Sequence, residues 1–127
     1  MTLLDTNVLI FDALYPEKLS KAAKKILNSE LEFSCADISL LELSMLIAKK
    51  RIPVDIEPKK FIEAVLASRK IKVLPITPDI AVRSQSLGVK HKDPADLLIA
   101  ATAICHGICV LSADEVFKSI PGLKCIW

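Results

Sequence analysis

Residues 93–114 read Asp93-Pro94-Ala95-Asp96-Leu97-Leu98-Ile99-Ala100-Ala101-Thr102-Ala103-Ile104-Cys105-His106-Gly107-Ile108-Cys109-Val110-Leu111-Ser112-Ala113-Asp114. Pro94 suits a first helical position, where its missing N–H is no loss, and Asp93 before it suits the N-cap. Gly107 stands where a helix stops. A helix over 94–106 therefore hands over to a strand over 108–112. That strand is apolar throughout, which is the pattern of a parallel sheet covered on both faces.

The same alternation extends outward. Apolar runs predict strands over 2–5, 32–36, 71–76 and 123–127. Helical spacing predicts helices over 8–14, 17–29, 40–50, from Pro58 onward, over 78–87 and, briefly, over 113–120. Alternating strands and helices imply an α/β fold with helices on both faces of a parallel sheet. The 127 residues are read as a single domain spanning 1–127, long enough for a real core.

Composition narrows the function classes. Hydrophobic content is 52% and mean hydropathy is +0.43, high values that a doubly covered sheet accounts for in large part. An exposed apolar face for a partner is the alternative source of part of the excess. A net charge of +2 is too mild to argue nucleic-acid binding by itself. Aromatic content of 5% argues against a base-stacking platform. Cys35, Cys105, Cys109 and Cys125 form no Cys-x-x-Cys pair and read as buried thiols of a reducing compartment. The N-terminus has no basic segment before an apolar one, and 97–111 is short for a membrane span. The chain is expected to be cytoplasmic, with no membrane partner.

Four acids stand at strand-to-helix handovers: Asp5, Glu42, Asp96 and Asp114. In an open α/β sheet, ligands bind at the carboxyl ends of the strands. Carboxylates brought together there repel one another, and hard divalent cations with oxygen ligands relieve that repulsion. The cluster points to metal-assisted chemistry on phosphate. Each acid also has a reading as a helix-end residue, a good one for three of them, while at the first site Asp5, Thr6 or Asn7 could each be the N-cap. Ser39-Leu40-Leu41-Glu42 and Ser112-Ala113-Asp114-Glu115 match capping boxes, and Asp96 falls in the first turn after an Asp93 cap. Asp5-Thr6-Asn7 sets three polar groups in a row, more than a cap asks for.

These segments resemble the PIN-domain nucleases, and most closely the VapC-type toxins of toxin–antitoxin pairs. The carriers of the resemblance are Leu4-Asp5-Thr6-Asn7-Val8-Leu9-Ile10, Glu42, the run from Asp93 to Ala103, and Leu111-Ser112-Ala113-Asp114, where Ser112 replaces the family's Thr. Leu97 stands where the family often has Arg. The resemblance implies a three-layer α/β/α sandwich with a five-stranded parallel sheet, a metal-dependent ribonuclease and a homodimer. It implies one or two Mg²⁺ or Mn²⁺ ions held by Asp5, Glu42, Asp96 and Asp114, with Asp93 a lesser candidate. Thr6, Asn7 and Ser112 are expected to orient ligands or water. Lys90-His91-Lys92 is a candidate contact for the RNA backbone. An antitoxin is the expected protein partner. An RNA-processing nuclease outside a toxin–antitoxin pair and a catalytically silent binding scaffold are the alternatives. A phosphatase with a strand-one Asp nucleophile wants a second Asp two residues later, and Asn7 stands there.

Overall fold

The computed structural model describes residues 1–90 and 93–127. Five parallel strands form one sheet: β1 (Thr2–Leu4), β2 (Phe33–Ala36), β3 (Lys72–Leu74), β4 (Cys109–Leu111) and β5 (Cys125–Ile126). Their spatial order is β3-β2-β1-β4-β5, and every pairing is parallel. The chain builds outward from β1 on one side, then returns to build outward on the other. The reversal opens a crevice between the carboxyl ends of β1 and β4, where ligands bind in folds of this class.

Successive strand residues point to opposite faces, and the core divides accordingly. Leu4, Phe33, Cys35 and Leu111 face one layer, packed by α1 (Thr6–Leu14), α2 (Lys21–Ser29), α3 (Ile38–Ala48) and α4 (Pro58–Ser68). Leu3, Ala36, Leu74 and Val110 face the other, packed by α6 (Pro94–His106) and by Phe117 of the 3-10 turn at Glu115–Ser119. Both faces are covered, as the unbroken apolar strands require. The remaining helix, α5 (Pro78–Ser84), precedes Leu87, which packs in this second layer. Among the described residues, no helix is long and apolar enough to cross a membrane.

Local chemistry sets the helix ends. Helix α6 has the bounds expected of it: Asp93 accepts the Ala95 N–H at 3.0 Å, and Gly107 takes a left-handed backbone (φ 65°) past the last turn. The helix expected over 17–29 is split. Ser20 accepts the Ala23 N–H and starts α2 afresh, leaving a 3-10 turn at Pro16–Lys18. The capping box expected at Ser39 does not form. Asp37 already has helical dihedrals, and its carboxylate accepts the Ile76 N–H, so the helix begins at Ile38 and Ser39 lies inside its first turn. Asp114, rather than Ser112, caps the final 3-10 turn. The cysteines are also corrected: Cys35 is buried, but Cys105 is exposed and Cys109 and Cys125 are partly so. Burial pushes the Cys35 thiol up to about 12.

Leu4 is fully buried on the central strand. Leu4→Ala is predicted to lower stability by about 2–5 kcal/mol, from lost burial and the cavity left behind. Urea denaturation measures it, and a loss below about 1 kcal/mol would contradict this placement of the core.

Candidate active site

Asp5 follows β1 and caps α1, one carboxylate oxygen accepting the Thr6 N–H at 2.7 Å. The other accepts the Ser112 Oγ–H at 2.6 Å. Ser112 follows β4, so this bond crosses the point where the strand order reverses. The backbone reinforces it, with the Asp5 N–H donating to Leu111 O at 3.1 Å. Ser112 Oγ in turn accepts the Asp114 N–H at 3.0 Å, and the Asp114 carboxylate accepts the Val116 N–H at 3.1 Å.

A second chain of hydroxyls reaches Glu42. Thr6 Oγ1 lies 2.5 Å from Glu42 Oε1 and 2.8 Å from Ser39 Oγ. A hydroxyl has one proton to give. The carboxylate takes it, so Thr6 accepts from Ser39, which is fully buried. The early start of α3 is what puts Ser39 in this position.

Asp5, Thr6, Asn7, Glu42 and Asp96 line one cleft of about 240 Å³. Its remaining wall is Met45, Leu46, Lys49 and Arg51, at and just beyond the C-terminal end of α3. Thus three of the four expected acids share a cleft. Asp114 does not line it and is tied to it through Ser112. Asp93 is exposed and serves as the α6 cap, though its charge is felt at Glu42. Lys90 is exposed and does not line the cleft, while His91 and Lys92 lie outside the described residues.

Electrostatics records the crowding. Burial pushes the Asp5 carboxyl from 3.8 up to about 7, and the charges of Asp96 and Glu42 add to the rise. The bonds from Ser112 and Thr6 oppose it. Glu42 is also raised, first by burial and then by the charges of Asp96 and Asp93, against the Thr6 bond. Among the described residues, no three Asp, Glu, His or Cys side chains are close enough to enclose a metal ion. The acids share a cleft without closing a ligand shell. The donors are all oxygen, which fits a hard divalent cation rather than a soft one.

The sequence alone reads Ser39 as a helix cap, and Lys49, Lys50 and Arg51 as a helix end that is more often a solvated face than an RNA track; it does not join them to the acids. For Lys49 the signal was present: Glu42, Met45, Leu46 and Lys49 are spaced i, i+3, i+4 and i+7, one face of a helix. Arg51 and Ser39 depend on how α3 ends and begins.

With this geometry in view, the chain matches the model of the PIN domain family over residues 2–123. It belongs to that family. It is 32% identical over 118 residues to Ribonuclease VapC22 of Mycobacterium tuberculosis, a match covering 92% of this chain and 89% of the relative. Among solved structures it resembles a toxin-antitoxin complex from Klebsiella pneumoniae, with 25% identity, a TM-score of 0.68 and coverage of 100% of this chain and 97% of that one. DNA-bound VapBC from Salmonella typhimurium shares the fold, with a TM-score of 0.72 at 20% identity over 98% and 96% of the two chains. The VapC-like character read from the acidic motifs is upheld.

The raised Asp5 pKa has a consequence for stability. The unfolded carboxyl releases its proton near 3.8 and the folded one near 7. Between these values the folded state binds more protons, so raising the pH favours unfolding. In EDTA, the melting temperature is predicted to fall as pH rises from 5 to 8, and Asp5→Asn to flatten that fall. Parallel profiles for wild type and variant would refute the assignment.

Proposed function

We propose that the protein is a divalent-metal-dependent endoribonuclease of the cytoplasm, the toxin of a toxin–antitoxin pair. The observation that carries this reading is the cleft where Asp5, Glu42 and Asp96 meet beside the switch point of a PIN fold. Asp5, Glu42, Asp96 and Asp114 would hold one or two Mg²⁺ or Mn²⁺ ions, with Asp93 a further candidate. The chemistry such ions supply is neutralisation of phosphate charge and a lower pKa for the attacking water.

The chain's own residues do the positioning. Ser112 and the Thr6 N–H fix the Asp5 carboxylate, and the Thr6 hydroxyl fixes Glu42. Both sets of bonds favour the ionised acids that cation binding needs. Asn7 is exposed within the cleft and offers its amide to a phosphate oxygen or water. RNA as substrate is supported by the relative's name, a ribonuclease, and an antitoxin partner by the toxin-antitoxin complexes of the same fold. A covering antitoxin segment would place an Arg against the carboxylates, a pairing of matched bidentate geometry.

Asp96→Asn tests the site. Cleavage of RNA in Mg²⁺ or Mn²⁺ is predicted to fall about 100-fold or more, as when a preorganised charge is removed from a reacting centre. The fold in EDTA should be retained, because Asn conserves shape. Retained cleavage would refute the ligand role. A collapse of the melting temperature would assign Asp96 to folding instead.

We also propose a homodimer. Leu41 and Met45 are exposed apolar side chains one turn apart on α3, which supports association through that helix face. Light scattering at micromolar concentration is predicted to give twice the chain mass, and a monomer mass would count against it.

A further inference from the structure

The cleft has two chemically opposite walls. Its floor carries Asp5, Glu42 and Asp96, and its far lip carries Lys49 and Arg51. Both cations are exposed, and among the described residues neither is ion-paired. Floor and lip are joined by one face of α3. Seven residues at 1.5 Å each put Lys49 about 10 Å beyond Glu42 along the helix, with Met45 and Leu46 between them.

The lip is held in place by the way α3 ends. The Lys50 N–H donates to Ile47 O at 3.0 Å and the Arg51 N–H to Leu46 O at 2.9 Å. This paired closure requires a left-handed residue, usually glycine, and here Lys50 supplies it (φ 54°). A side chain is disfavoured at that angle, yet the turn keeps it. Ile52 follows and is buried in the core layer under α3 and α4. Arg51 therefore projects from a backbone fixed on both sides.

We propose that Lys49 and Arg51 form a phosphate grip, taking an RNA phosphate next to the one presented to Asp5, Glu42 and Asp96. The identity of the polyanion rests on the nuclease reading above. The physical need is plain: an acidic cleft repels the strand it must hold, and two exposed cations at its edge offset that repulsion and set the strand's path across the site. Lysine and arginine at a helix C-terminus also complement the helix dipole. That role moves stability, whereas a phosphate grip moves the salt dependence of binding.

The test is anisotropy of a fluorescein-labelled single-stranded RNA with Mg²⁺ present, across a salt series. Asp96→Asn is the parent, so that cleavage does not consume the probe. Adding Lys49→Gln and Arg51→Gln is expected to weaken binding and to reduce the slope of log Kd against log salt by about 0.7, the share of the one single-strand phosphate that is no longer neutralised. Lys59→Gln with Lys60→Gln, the same charge change on exposed residues of α4, is the control and should leave the slope alone. An unchanged slope for the lip variant, an equal fall in the control, or no RNA binding by the parent would overturn the grip. A separate cleavage assay on the wild type reports the nuclease reading. A reduced slope without wild-type cleavage would uphold the grip and sink the nuclease.

Discussion

The hydrogen bond from Ser112 to Asp5 joins the ends of β1 and β4 across the point where the sheet changes direction. Neither strand is longer than three residues, and this bond continues their pairing past the last paired residues, beside the backbone bond from the Asp5 N–H to Leu111 O. The bond decides where the buried carboxylate points. It also works against the burial that pushes Asp5 toward its neutral form. A carboxyl so placed sits near the boundary between protonated and ionised at neutral pH. The cation proposed for this cleft would draw on a group that is oriented in advance and only partly ionised.

Helix α3 contributes the other half. Because it begins at Ile38, Ser39 faces Thr6, and Thr6 faces Glu42. Because it ends in a left-handed Lys50, Lys49 and Arg51 reach the rim of the same cleft. One helix thus ties acid floor to basic lip, and the core layer it shares with α1 and α4 holds that helix against β2. Membership of the PIN-domain family gives this layout its chemical sense, since the cleft lies where the fold brings its acidic motifs together.

Much of this was legible in the residues. The strand pattern was visible because a sheet buried on both faces needs apolar residues at every position. Helix α6 was legible to the residue because Asp93, Pro94 and Gly107 are strong local signals. The acids at β1 and α6 were found for the same reason. What failed depended on tertiary contacts. Ser39 looked like a cap, and only the turn of Asp37 toward Ile76 moves it into the helix. Ser20 breaks a run whose apolar spacing continues through it. Cys105 reads as apolar in sequence yet lies exposed near the end of α6. Lys49 and Arg51 resembled a solvated helix end, and their relation to Asp5 exists only in the folded chain.

The central claim is that the carboxylates of this cleft form a cation site whose ionisation is coupled to binding. Calorimetric titration of Mn²⁺ at pH 7, in two buffers of different ionisation enthalpy, tests it most directly. The account predicts saturable binding with release of part of a proton per chain, because burial leaves Asp5 only partly ionised at this pH, and a smaller release in Asp5→Asn. Absence of saturable binding, or heats identical in the two buffers, would contradict it.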